Sequence, residues 1–453
     1  MRWNILTVFV IAALSGCVAV EEKPDGTDRA AGPPATGAAR GAEASAGSPP
    51  SAQNAGAGQP GPETDKLAAN IDAIRRGAAA GNAQAQFLLG AAYLQGRGVP
   101  ADPQQAASWL RQAAEQNHPK AQSQLGIMYL RGTAIEKNPD EGIRWLVRAA
   151  ESGNADAQVN LGIVYAEGMG VPKNLQAAAR WLAEAAKQGD PSAQYRLGMM
   201  YLNGLGVERD DPAGADLLRR AAEQGVPLAQ LQTGILYRLG RGLAQDDAQA
   251  AAWTAKAADQ GLPRAQFILG QFYRQGIGVE RNPGAAAQWL GKAAAQGSTE
   301  ARYAMATLYS RGEGVAVDLA ESARWLKAAV EGGSARAAND LAVMYASGRG
   351  VEQNDGEALR LYRMAAEAGI PAAQANLGIM YFTGRGVPAA NAQEAYRWLK
   401  AAADSGVAQA QRVLGVMYAK GEGVARDREQ ARFWLGKAAA QGDQRAAQLL
   451  TQI

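Results

Sequence analysis

Tyrosine recurs at Tyr93, Tyr129, Tyr165, Tyr201, Tyr237, Tyr273, Tyr309, Tyr345 and Tyr381, always 36 residues apart, and once more at Tyr418 after 37. A fixed period of this length marks a repeat array, in which each unit buries its apolar face only against its neighbours. Eight residues before every tyrosine stands alanine, from Ala85 to Ala410, and four before stands mostly leucine, as at Leu89, Leu125, Leu161 and Leu414. Steps of four keep these side chains on one face of a helix. Three before, glycine occupies eight units, while Ala306 and Ala342 take the other two, so a neighbouring helix is expected to come close there.

Glycine stands three residues after each tyrosine, from Gly96 to Gly421, which predicts a left-handed C-cap ending the first helix. Asp or Asn follows nine residues after the tyrosine, from Asp102 to Asp427; in one unit it is Asn391, a place later, after the residue inserted in "VPAANAQ". These side chains suit the free amides of a second helix, with Pro103, Pro139 and Pro283 at its first position. Sixteen residues after the tyrosine stands tryptophan, as at Trp109, Trp145 and Trp289, replaced by Leu217 and Leu361 in two units. Each unit is predicted to be two antiparallel helices, and the fold all-α.

The frame A-x-x-x-L-G-x-x-Y-x-x-G-x-G-V followed by W-L-x-x-A-A, over about residues 83–442, resembles the Sel1-like repeat, a relative of the tetratricopeptide repeat. That resemblance implies a right-handed α-solenoid of about ten two-helix repeats whose concave side receives other proteins. The body is assigned to 63–453, with short capping helices at 65–80 and 443–453. Some relatives cross-link each repeat through cysteine pairs; this chain has a single cysteine, so its rigidity must come from packing. An aromatic side chain buries ~150 to 250 Å², and the recurring tyrosines and tryptophans are expected to renew the core in every unit.

That cysteine, Cys17, ends the stretch "LSGC" after a basic head at 1–4 and an apolar run at 5–14. The run is too short for the ~20 residues of a spanning helix, and it reads as a secretory signal over 1–16. "LSGC" resembles the bacterial lipobox, which implies cleavage before Cys17 and acylation of its thiol and new amino group. Each buried methylene contributes ~0.8 kcal/mol, so two or three chains anchor firmly. Val18 stands where lipoproteins kept at the inner membrane of enteric bacteria usually carry aspartate, so the expected location is the outer membrane, facing the periplasm. Residues 17–62 form a tether of Ala, Gly, Pro and Ser that cannot offset the entropy of ordering. As a flexible chain it spans roughly 35 to 40 Å on average. Gly56-x-Gly58-x-x-Gly61 within it fits a dinucleotide-binding spacing, but lacks the strand and helix that motif needs.

Chemistry finds little support. The one histidine, His118, falls in a turn and is expected to be solvated; no second imidazole and no second thiol exist to share a metal. No Ser-x-x-Lys, Gly-x-Ser-x-Gly or phosphate-binding Gly-Lys-Ser/Thr pattern occurs. The pairs Asp210/Asp211 and Asp246/Asp247 sit at helix starts, where capping accounts for them. No cofactor is called for. With 46 basic against 43 acidic residues the chain is near balance, and an exported protein lies away from nucleic acid.

The expected function is a non-catalytic, monomeric, membrane-anchored adaptor that holds other envelope proteins on its groove. A periplasmic regulator of a sensor kinase is the rival among binding proteins; a β-lactam or envelope hydrolase, suggested by cysteine-rich relatives, is the rival among enzymes. Two sets of residues are candidates for partner contact. Met128, Met200, Met344, Met380 and Met417 directly precede a tyrosine, and flexible methionine suits adaptable surfaces, though stacking between repeats is the competing use. Arg97, Arg241, Arg349 and Arg385 follow the capping glycine and would align as a ridge for an anionic partner.

Overall fold

The computed structural model describes residues 71–453; the expected signal peptide (1–16), the tether (17–62) and Cys17 lie outside the described residues. Among the described residues there are 22 α-helices and no strand. An entering helix, Ile71–Ala79, precedes ten helix pairs, and a closing helix, Gln444–Leu450, follows them. All twenty paired helices are 13 residues long, from Ala83–Gln95 and Pro103–Glu115 in the first unit to Ala408–Lys420 and Arg428–Ala440 in the tenth. Each helix packs on the one before and the one after, which makes the array an α-solenoid.

The predicted punctuation holds throughout. Every first helix ends on its glycine at φ between +63° and +77°. Every second helix starts at its Asp or Asn, whose side chain accepts a backbone amide two or three residues on, as Asp102 does from Gln105 at 3.0 Å and Asn391 from Glu394 at 3.1 Å. The connecting loop is closed at the tyrosine itself: its carbonyl accepts the N-cap amide in all ten units, at 2.8 to 3.0 Å.

Leucine, rather than the aromatic residues, sits deepest. Leu110, Leu146, Leu182, Leu218 and Leu290, each one place after the tryptophan position, are fully buried, whereas the repeat tyrosines are half-buried. The close approach expected at the glycine three before the tyrosine is real: a methyl group on Gly270 would lie 2.7 Å from Leu290 Cγ. The tryptophans join neighbouring units, Trp289 packing on Leu231, Ala257 and Leu269 of a core that belongs mostly to the unit before it. The core is a chain of clusters, most of them shared across one junction and the largest running from the seventh unit through the eighth into the ninth.

A second, polar system ties the junctions. Seven residues before the tyrosine lies a buried glutamine, in Gln86, Gln122, Gln158, Gln194, Gln230, Gln266 and Gln411. Gln266 donates to the Ala258 carbonyl of the preceding second helix (3.2 Å) and accepts from Gln296, which ends the second helix of its own unit (2.8 Å). Gln296 also donates to the Gly261 carbonyl in the turn between units (3.1 Å). The same glutamine pair recurs as Gln86–Gln116, Gln158–Gln188, Gln194–Gln224, Gln230–Gln260 and Gln411–Gln441, at 2.7 to 2.8 Å. In the seventh unit Arg302 takes the position and reaches the carbonyls of Ala294 and Ala328, at 3.4 and 3.1 Å. In the eighth it is Ala338, fully buried, and the ladder is interrupted; it resumes in the ninth, where Gln374 donates to the Ala366 carbonyl at 3.2 Å.

Candidate functional site

The first helices bury most of their circumference because a helix flanks them on each side. A narrow stripe stays open along them, and in most units the residue two before the tyrosine lies on it: Ile127, Met199, Ile235, Val343, Ile379 and Val416 are half-buried or exposed, with Thr307 and Gln271 among them. Val343 is 43% exposed, the most open of these apolar side chains.

Beside Val343 the surface dips into an open cavity of about 240 Å³ between the first helices of the seventh and eighth units, Thr299–Arg311 and Ala335–Ser347. Its apolar floor is Ala306, Leu319, Leu326, Val343 and Met344; its polar rim includes Tyr303, Asp340 and Arg349. The Tyr303 hydroxyl donates to Asp340 Oδ2 at 2.8 Å, and Asn339 donates to Asp340 Oδ1 at 3.0 Å. Burial, helped by that bond to Asp340, pushes the Tyr303 hydroxyl up to about 12, so it remains a donor at neutral pH. Ser310, Thr307 and Ser347 turn their hydroxyls back onto carbonyls of their own helices.

The methionine expectation is corrected at four of its five positions. Met128, Met200, Met380 and Met417 are buried in the cores between units, because the residue before the tyrosine faces the adjoining helix and not solvent. Met344 alone is half-buried, and it lines the cavity.

The arginine ridge is also corrected. Arg241 pairs with Asp211 at 2.9 Å and donates to the Leu202 carbonyl; Arg385 pairs with Asp355 at 2.8 Å and donates to the Ala346 carbonyl. Each carboxylate lies thirty residues back, at the start of the preceding second helix, so these arginines staple adjacent units. Arg209 and Arg241 together hold the Asp211 carboxyl well below the usual carboxylate range, and Arg385 lowers Asp355. Arg349 has Leu319 at the corresponding place, and among the described residues it carries no ion pair. Arg97 is half-buried, and its corresponding position, Leu67, falls outside the described residues.

The acidic pairs are committed elsewhere. Asp210 and Asp246 cap helices, Asp211 is stapled as above, and Asp247 pairs with Arg238 at 3.2 Å. His118 differs from the solvated loop expected. Its Nδ1 accepts the Ala121 amide at 3.3 Å, its Nε2 lies 2.8 Å from Gln84 Oε1, and its ring stacks on Phe87 with centroids 4.8 Å apart. Burial lowers its pKa. It is the N-cap of Pro119–Arg131. Among the described residues no group of three or more His, Cys, Asp or Glu is placed to hold a metal ion, and no helix is long and apolar enough to cross a membrane.

The Sel1 repeat family model matches ten consecutive segments, from 83–118 through 299–334 and 335–370 to 408–443. The chain belongs to the Sel1 repeat family. The Sel1 array is similar in structure to c5321, a protective antigen of uropathogenic Escherichia coli strains displaying an SLR fold. The two are 36% identical, with a TM-score of 0.74 over 85% of this chain and 82% of that one. A Sel1 repeat protein from Oxalobacter formigenes is also 36% identical over 76% of this chain and 89% of its own, with a TM-score of 0.44. No curated protein matches the chain. Sel1 repeat proteins typically mediate protein–protein interaction, on a scaffold that is generally non-catalytic.

Proposed function

We propose that this Sel1 repeat protein is a lipid-anchored scaffold of a bacterial envelope, held to the membrane through Cys17 and receiving partner proteins on its first-helix face. The observation that carries the binding half is the open apolar stripe, widening at Val343 into a cavity with a polar rim. The anchoring half rests on the lipobox-like "LSGC" and the Ala/Gly/Pro/Ser tether behind it.

Photocrosslinking in cells from position 343 tests the binding half, with position 324 as control, since Arg324 is exposed on a second helix and outside the cavity. A discrete set of envelope proteins captured from 343 and absent from 324 is the expected result. Equal capture at both positions contradicts recognition by the first-helix face. For the anchor, Cys17→Ser is expected to move the protein from the membrane pellet to the soluble fraction and to abolish incorporation of an alkyne-tagged fatty acid. An unchanged pellet with no label in either form contradicts it.

A further inference from the structure

We infer that the cavity at the junction of the seventh and eighth units is a docking subsite for an extended protein segment bearing an apolar side chain beside a carboxylate, with Arg349 as the carboxylate receptor. This rests on the scaffold reading and narrows it to one place and one partner chemistry.

Arg241 and Arg385 show what a guanidinium between the two glycines of the loop does when a carboxylate lies thirty residues back: it folds onto the preceding unit. At Arg349 that carboxylate is missing because Leu319 replaces it, and Arg349 lines the cavity without an ion pair among the described residues. The residue thirty-nine back, whose carbonyl takes the second contact of Arg241 and Arg385, is Ser310 here, also in the cavity lining. Both intramolecular partners of the staple are therefore unused at this junction.

Further guanidinium groups lie close by. Arg311 and Arg336 act on the Tyr303 hydroxyl; Arg311 pairs with Glu313 at 3.6 Å, and Arg336 makes no ion pair among the described residues. Of the acids nearby, Glu313 is held by Arg274 at 2.8 Å, and Asp340 accepts from both Tyr303 and Asn339. The cavity thus joins an apolar floor to a rim on which the Asp340 carboxylate is occupied by the Tyr303 and Asn339 donors while the Arg349 guanidinium has no carboxylate partner among the described residues. A carboxylate satisfies that rim in the way Asp211 and Asp355 satisfy its counterparts, and charge-assisted contacts of this kind are the strong ones. Val343 and Met344 offer an apolar neighbour exposed enough to gain from being covered.

Leu319→Asp supplies the test, since it gives Arg349 the intramolecular partner that Arg241 and Arg385 already have. Leu319 is half-buried at a helix start, where aspartate is tolerated, so the variant is expected to keep wild-type helicity and melting. The probe is a displayed library of random heptapeptides selected on the full chain. The selected sequences are expected to pair an acidic residue with an apolar one, and to bind Leu319→Asp and Arg349→Ala at least about tenfold more weakly, the effect of losing one charge-assisted hydrogen bond. Selection of sequences without acidic residues, or equal binding to wild type and both variants, overturns the subsite. In the second case the crosslinks from position 343 decide separately whether the first-helix face still binds partners. A library that yields no binder also overturns it.

Discussion

The sixth and eighth units share their helix lengths, their left-handed C-capping glycine and the asparagine that starts the second helix, but Leu361 and Tyr362 stand in the eighth where the sixth has Trp289 and Leu290, and the two units are joined to their neighbours differently. In the sixth, Gln266 and Gln296 link the preceding second helix, the unit's own two helices and the turn between units, and Arg274 reaches forward to Glu313. In the eighth, Ala338 and Ala368 stand where the glutamines would be, and Arg349 has no carboxylate behind it. Ala342 replaces the glycine of close approach. Between the seventh and eighth units, apart from the Ser334 N-cap to the Ala337 amide, the one side-chain hydrogen bond among the described residues is Tyr303 to Asp340, on the first-helix face. The contrast separates two jobs. Apolar packing and caps make each unit, whereas the polar ladder sets how firmly units are clasped, and the cavity opens where the ladder is absent.

The sharpest way to break the comparison is to damage the apolar core. Leu290→Ala deletes a fully buried side chain and is expected to cost about 2 to 5 kcal/mol, with the loss centred on the sixth unit and its neighbours, read by chemical denaturation. A comparable loss spread evenly over the array would contradict a core of local clusters. Next, Gln266→Ala removes the ladder from the sixth unit and leaves the Ala258 carbonyl without its donor, at an expected cost of about 1 to 3 kcal/mol. It should make the sixth unit exchange its amides as the eighth does.

The converse is smaller. Ala338→Gln restores one bond, to the Val330 carbonyl, at a position where other units hold the same side chain, and is expected to stabilise the eighth unit by about 1 kcal/mol. Smallest are the staples. Asp211 and Asp355 have carboxyls lowered in the folded state, so their contribution is complete above the unfolded carboxylate pKa of about 4 and is lost as pH falls through the lowered folded values. Both sites are partly exposed, so Asp211→Asn should cost no more than about 1 kcal/mol at neutral pH and nothing at strongly acidic pH, measured by pH-dependent melting.

Much of this was legible in the sequence because caps and close approaches demand particular residues at fixed offsets. Gly96 to Gly421 had to be left-handed, and Asp102 to Asp427 had to cap, whatever the neighbouring units did. The methionines misled because a helix flanked on both sides buries more of its circumference than an amphipathic surface helix, so Met200 and Met417 face the next unit. The arginines misled because their fate depends on a residue thirty places back. Comparing Asp211 and Asp355 with Leu319 carries that information once the junction geometry is known. The glutamine ladder had a visible signal, Gln seven before the tyrosine in eight of ten units, whose meaning emerges only when Gln296 is seen to face Gln266.

The most direct test is native-state hydrogen exchange of two equivalent first helices, Pro263–Gln275 in the sixth unit and Ala335–Ser347 in the eighth. Lower protection in Ala335–Ser347, raised toward that of Pro263–Gln275 by Ala338→Gln, is the predicted result. Equal protection in the two helices, unmoved by that substitution, would contradict the claim that a broken ladder opens the junction.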